Sequence, residues 1–282
     1  MTEPAGMRTS GPGPAAAPVA RSGSGRAWPA LRLPWKAGLA FLLLAVLWQA
    51  AALFFPPYLV PGLLPIARAF LRIVTDPALL MQALITWARL VGATLISVAV
   101  GTVLGLVMGL YRGADDFIRP LVKFFMGVPA LNWVIIVVIW FSSIEVRIGF
   151  VLVMICTPLS IFSVYDGVRT MDAKLADMVR AFQASESQLV RLLYLPYVTS
   201  FVFTALKVNI GVAVRAVIVA ELVGAPSGIG KELDLAKNLF DMPLVMGWTL
   251  WMVLTLLVMQ KGVEWLEGRL LHWRTEPARA ER

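Results

Sequence analysis

Residues 166–197 read DGVRTMDAKLADMVRAFQASESQLVRLLYLPY and stand between two apolar stretches, 146–165 and 198–223. Each flank is long enough to cross a hydrocarbon layer as a helix, which takes about 20 mostly apolar residues. The segment between them is polar yet periodic. Leu175, Met178, Val179 and Phe182 fall on one helical face, and Lys174, Asp177 and Arg180 lie largely off it. Asp172 is placed to cap the start. Ser185, followed three residues on by Gln188, is a capping-box pattern for a second helix. Leu189, Leu192 and Leu193 continue that helix until Pro196. The expectation is two short helices joined near Gln183. Their apolar residues need either a partner surface or lipid headgroups.

Outward from this segment the chain is apolar in long blocks. Of its 282 residues 59% are hydrophobic and only 15% charged, and the mean hydropathy is +0.78. Soluble domains run at about 45–50% apolar and about 25% charged, so a water-soluble fold and a disordered chain are both excluded. Six stretches qualify as spans: 38–55, 84–111, 124–141, 146–165, 198–223 and 244–266. In lipid the backbone must satisfy its own hydrogen bonds, so these are helices, and they are too long for barrel strands. Between the first two, Pro56, Pro57, Pro61 and Pro65 break any helix. Ile66, Phe70, Ile73 and Val74 then share a face beside Arg68 and Arg72, which predicts a short interfacial helix. Pro129 and Pro158 lie within spans and are expected to kink them.

Lys and Arg distribution orients the spans. With the N-terminus in the cytoplasm, the cytoplasmic pieces carry 17 of the 25 Lys and Arg and the outer pieces 5. Both termini are therefore expected inside. Arg89, Lys207 and Arg215 fall within spans, where charge is rare and faces the bundle interior. Lys207 and Arg215 lie roughly 80° apart around one helix, and Arg215 and Glu221 about 120° apart, so none pairs neatly with another along it. An Arg89–Glu221 ion pair between spans two and five, chiefly structural, is the expectation. Lys207 and Arg215 are then left as unpaired cations able to line a path and attract an anion.

The first 36 residues are rich in Gly, Pro, Ala, Ser and Arg and predict a disordered cytoplasmic tail. No cleavage-like small-residue site follows the apolar run, which argues against a signal peptide. Residues 37–83 hold the first span and the outer interfacial segment, 84–268 a core of five spans, and 269–282 a second cytoplasmic tail. One cysteine, Cys156, and one histidine, His272, exclude an intrachain disulfide, a cysteine cluster and a multi-histidine metal site. The run Gly224 to Glu232 is a near miss for a phosphate loop, because Ala225 and Glu232 stand where that motif needs Gly and Ser or Thr.

The 166–197 segment resembles the EAA loop of ABC-importer permeases. Asp177-Met178-Val179, then Gln183, then Leu193 and Leu195-Pro196 keep its full spacing, with Asp for Glu, Met-Val for Ala-Ala and Gln for Gly. A Gly at the turn would allow positive φ, which Gln183 adopts only at a cost. Further matches are similar to the nitrate/sulfonate/taurine permease branch. They are Leu90-Val91-Gly92 with Gly101, Gly105 and Gly109; Gly127-Val128-Pro129 leading to Asn132-Trp133; Trp140-Phe141; and Val219-Ala220-Glu221 followed by Ser227-Gly228-Ile229-Gly230. The glycine run also reads as a close-packed helix face within the chain.

The resemblance implies an all-α integral membrane protein of the type I ABC importer permease (MetI-like) fold, with six transmembrane helices and a cytoplasmic coupling helix. It implies a bacterial inner-membrane permease for a small, anionic solute, with no cofactor, no metal and no catalysis of its own. Two ATP-binding subunits would dock on the coupling residues Asp177, Met178, Val179, Phe182, Gln183, Ala184, Ser185, Leu195 and Pro196. A second permease subunit, in a homodimer or with a similar chain, would share a path lined by Asn132, Trp133, Lys207 and Arg215. An extracytoplasmic solute-binding protein would meet an outer gate loop at Ser227, Gly228 and Gly230. Membrane lipid surrounds the chain and no nucleic acid is involved. An ion-coupled secondary transporter is the alternative. It predicts internal repeats and paired broken helices, and none is visible. A membrane-embedded enzyme predicts an acid- or histidine-rich site, which the scattered acids do not form.

Overall fold

In the computed structural model, residues 34–271 are described, except 182 and 184. The tails expected over 1–36 and 269–282 fall largely outside the described residues. Chain contacts divide the protein into 1–44 and 45–282. The described part of the first unit is the N-terminal half of α1, Pro34–Phe54.

Among the described residues of the second unit, all regular structure is helical. Its elements are α2 (Leu63–Thr75), α3 (Pro77–Leu110), α4 (Arg112–Gly127), α5 (Ala130–Trp140), α6 (Ile144–Arg169), α7 (Ala173–Ala181), α8 (Glu186–Leu189), α9 (Leu195–Leu222), α10 (Ile229–Asn238) and α11 (Met242–Leu270). Four helices among the described residues are long and apolar enough to cross a membrane: α3, α6, α11 and a continuous helix from Ser187 to Leu222. The α4–α5 pair makes a fifth if it counts as one broken span, and α1 is a shorter apolar helix.

Three expectations are corrected here. The stretch 124–141 is no continuous span, because α4 and α5 meet at 94°. Pro129 removes an N–H and pushes Val128 out of the helical region, to φ −80 and ψ 121. Span two begins at Pro77 rather than 84, where the Asp76 carboxylate accepts the Ala78 N–H at 2.9 Å. Pro65 does not break a helix but sits in the first turn of α2, where a missing N–H is harmless. Pro158 lies inside α6, which continues through it.

The apolar face expected on α2 is partly used inside the chain. Ile66 and Ile73 are buried and Val74 is exposed. A Cβ at Gly247 of α11 would lie 3.2 Å from the Phe70 nitrogen, so α2 rests on α11 as well as at the interface. The main core joins α3, α5, α6, α9 and α11 through Leu90, Val137, Leu152, Ile210, Val217 and Trp248. Along α3 the glycines expected to form a close-packed face do so within the chain. Gly101 meets Ser160, Gly105 meets Ile161 and Val164, and Gly109 meets Val168, all on α6. Small residues let the two backbones approach until dispersion and backbone contacts hold them, which is how membrane helices associate.

Candidate functional site

The α7–α8 segment is assembled from its own side chains. Asp172 accepts the Lys174 N–H at 2.9 Å and starts α7. Gln188 accepts the Ser185 N–H at 2.8 Å, and Ser185 accepts the Gln188 N–H at 3.3 Å, which is a closed capping box at the start of α8. Between the helices Gln183 holds φ 58, the left-handed turn for which a glycine is the unstrained residue. The geometry of the turn therefore survives the substitution, at about 1–2 kcal/mol of backbone cost. Gln183→Gly is expected to recover about 0.5–1 kcal/mol of that, read as roughly threefold slower amide exchange across 173–190. Unchanged exchange would mean that the turn is unstrained.

Val179 packs with Met171, Leu189, Leu193 and Tyr194. Met178 is 55% exposed and Leu175 39%, and Asp177, Gln183 and Ser185 are exposed beside them. The side chains of Phe182 and Ala184 lie outside the described residues. The second helix does not stop at Pro196. A π-helical turn over Val190–Tyr194 carries α8 into α9, with Pro196 in the first turn of α9 and Leu195 exposed. The wider turn closes with the Leu195 N–H on the Val190 carbonyl. That slack accommodates a proline ring and its missing donor.

Arg89 lies about 18 Å inside α3 from its start, and its guanidinium is shared by four groups. Nη1 donates to Glu221 Oε1 at 2.6 Å and to the Ser227 carbonyl at 2.9 Å. Nε and Nη2 grip Glu145 at 2.8 and 2.5 Å, and Nη2 also donates to Ser227 Oγ at 3.0 Å. Glu221, 1% exposed, accepts further from the Thr86 hydroxyl at 2.9 Å and the Gly230 N–H at 2.9 Å. The Gly228 N–H reaches Gln82 Oε1 and the Ile229 N–H reaches Thr86 Oγ1, each at 2.8 Å. Ser227, Gly228 and Gly230 are thus not a free gate loop. They form the start of α10, with its orphan donors held by the side chains of Gln82, Thr86 and Glu221. Gly228 has φ 106, and a Cβ there would collide with the Glu221 carboxylate. Glu145, Thr86 and Gln82 were not legible as partners. Glu145 at the head of a span was the one available signal. Further along α10, the Lys237 ammonium 2.7 Å from Asp234 holds that carboxyl below its ordinary range.

The four residues expected to line a path separate. Lys207 is not an unpaired cation, since Nζ lies 2.6 Å from Glu267 Oε2, sixty residues on in α11. Trp133 is 6% exposed and packs between Phe125 and Phe150, so it belongs to the core. Asn132 is exposed at the start of α5. Arg215 is exposed on α9, and its Nε donates to the Gly211 carbonyl at 3.0 Å.

A helical bundle with long apolar spans, a buried interhelical ion cluster and an exposed helix pair inserted between two spans is the architecture of an integral membrane protein. Residues 101–271 match the family of binding-protein-dependent transport system inner membrane components, and the chain belongs to that family. A Brucella abortus protein named as a probable ABC transporter permease is 23% identical over 214 residues, 76% of this chain and 86% of its own. The taurine transport system permease protein TauC of Escherichia coli is 25% identical over 261 residues, 88% of this chain and 93% of its own. In fold the chain is similar to an inward-facing crystal structure of the MetNI methionine ABC transporter. The TM-score is 0.55 at 16% identity, over 68% of this chain and 97% of the other. The protein is an ABC transporter permease with a MetI-like fold, a multi-pass inner-membrane subunit of a binding-protein-dependent transport system rather than an enzyme. The secondary-transporter alternative is set aside. An ABC permease of this family works with an ATP-binding subunit and a solute-binding protein.

Proposed function

We propose that two copies of this chain form the path of an importer for a small organic or inorganic anion, with both termini in the cytoplasm. Two ATP-binding subunits dock on Asp177, Met178, Val179, Phe182, Gln183, Ala184 and Ser185, with Leu195 and Pro196 at the root of α9. The observation that carries this reading is the exposed apolar face of α7, capped at its start and tied through α8 to a helix that runs the length of a span. Closure of the ATPase pair pushes on α7 and α8, and α9 transmits the displacement.

The test is co-purification from membranes with an ATP-binding subunit co-expressed with this chain. The parent should bring the ATPase with it, and Met178→Arg should lose it at least about tenfold, since a buried, unpaired charge costs several kcal/mol at such a contact. Equal recovery with both, from chains of equal monodispersity, would remove α7 as the docking site.

Arg215 supports the anionic solute. An arginine facing hydrocarbon costs about 2.5–3.5 kcal/mol or more, and this one is exposed on its own chain. Its face of α9, with Thr204, Val208 and Gly211, is therefore read as turned toward the aqueous path. Arg215→Gln is expected to lower uptake of a sulfonate on the order of tenfold by removing the local attraction, while Arg215→Lys retains most of it. Uptake unchanged in Arg215→Gln would place the residue elsewhere.

A further inference from the structure

A second charged cluster takes no part in the coupling surface or the ion cluster at Arg89. It joins the start of α4 to the end of α6. Arg119 donates to both oxygens of the Asp115 carboxylate, at 2.9 and 2.6 Å. The Tyr165 hydroxyl donates to the same carboxylate at 3.1 Å. That hydroxyl accepts in turn from Arg119 and, at 3.0 Å, from Arg169 Nε. Both guanidiniums stand over the Tyr165 ring, at 4.9 and 5.6 Å from its centroid. One buried carboxylate is thus shared by two arginines whose side chains remain 37% and 53% exposed. Adding the neighbours on these two elements, Arg112, Asp116, Lys123 and Asp166, still leaves one surplus positive charge.

Directly beside the cluster is an apolar hollow. Its volume is about 390 Å³, and its walls include Leu104 of α3, Ile118 and Val122 of α4, and Met154, Pro158 and Ile161 of α6. Val122, Ile161 and Tyr165 belong to one packed cluster, so the hollow begins where the arginines end. From Ile161 to Val153 it follows α6 for about 12 Å. Two further lining residues, Val100 and Leu121, are exposed, so the hollow opens to the outside of the chain. An apolar hollow of this size, opening between helices long enough to span a membrane, accommodates something aliphatic. The charges at its end select what that is.

We infer that this is a binding site for an anionic phospholipid, with an acyl chain in the hollow and the phosphate against Arg119 and Arg169. Basic groups between membrane helices at one leaflet hold acidic lipid headgroups in this way. Each arginine near such a surface strengthens binding about fivefold.

The test is the lipid retained by the full chain after extraction in mild detergent from bacterial membranes, measured by mass spectrometry. Phosphatidylglycerol should be enriched over phosphatidylethanolamine. Arg169→Gln, which leaves the Asp115–Arg119 pair intact, should lower its retention about fivefold. Val100→Trp, which fills the hollow from its open side without touching a charge, should lower it as well. Millimolar inorganic phosphate should not displace the lipid, whereas displacement would show a headgroup-only anion site. Equal retention in the parent and both variants overturns the inference. So does loss of dimer in Val100→Trp with lipid unchanged, which would show a second copy of the chain covering this face. None of these readings depends on transport, so failure here leaves the proposed function standing, and the reverse also holds.

Discussion

Arg89→Met is expected to destabilise the folded chain by about 3–5 kcal/mol, because it leaves the Glu221 carboxylate buried without its cation. Glu221 is fixed from four directions, by Arg89, Thr86, the Gly230 N–H and the packing of α9. It cannot turn to water when the guanidinium is gone. The double variant Arg89→Met/Glu221→Gln should recover a large part of the loss, since the uncompensated charge is removed along with its partner. Thermal unfolding in detergent, followed by a Trp signal, measures both. A single variant within about 1 kcal/mol of the parent would show that the pair is solvated or exchanges freely. That result would also deprive α10 of the anchor for its first turn.

Gly105→Leu should be nearly as damaging, at about 3 kcal/mol. A Cβ at Gly105 would stand 2.7 Å from the Ile161 carbonyl oxygen and 2.9 Å from Val164 Cβ. The nearest obstacle is backbone, which cannot rotate aside, so α3 and α6 must separate along their whole seam. Gly92 lies on the same helix with nothing within 4 Å of its would-be Cβ. Gly92→Leu is the matched control and should lose no stability, gaining up to about 1 kcal/mol from helix propensity. Equal losses at the two positions would mean that the α3–α6 seam does not govern the response, since helix propensity alone would give a gain at both.

Much of the architecture was legible because lipid imposes a simple rule on sequence. Runs such as 84–111 and 198–223 have one viable structure, and the capping groups Asp172, Ser185 and Gln188 announced their helices locally. What could not be read depended on distant residues or on backbone adjustment. Glu267 neutralises Lys207 from sixty positions away, and nothing near either residue signals the other. Trp133 looked like a path residue by its neighbours, but aromatic contacts with Phe125 and Phe150 draw it into the core. Pro196 looked like a terminator, and a single widened turn made it a continuation. Pro129 was seen as a kink, whereas the extended geometry it forces on Val128 produces a corner of 94°. The Arg89–Glu221 contact was anticipated, but its third partner, Glu145, and the hydroxyls and amides around it follow only from the meeting of α3, α6, α9 and α10.

The helix from Ser187 to Leu222 is 36 residues long, which makes it a shaft of about 54 Å. One end is clipped to the exposed α7, and the other carries Glu221 into the Arg89 cluster. Pivoting such a shaft by about 10° at its middle would displace each end by about 5 Å in opposite directions. That is well beyond the reach of a hydrogen bond. Under the proposed coupling, a push at one end would be geared into release or capture at the other, and the number of charged bonds around Arg89 would set how hard the push must be. In mechanical terms, the substitutions that loosen that distant clasp should lower the load felt at α7.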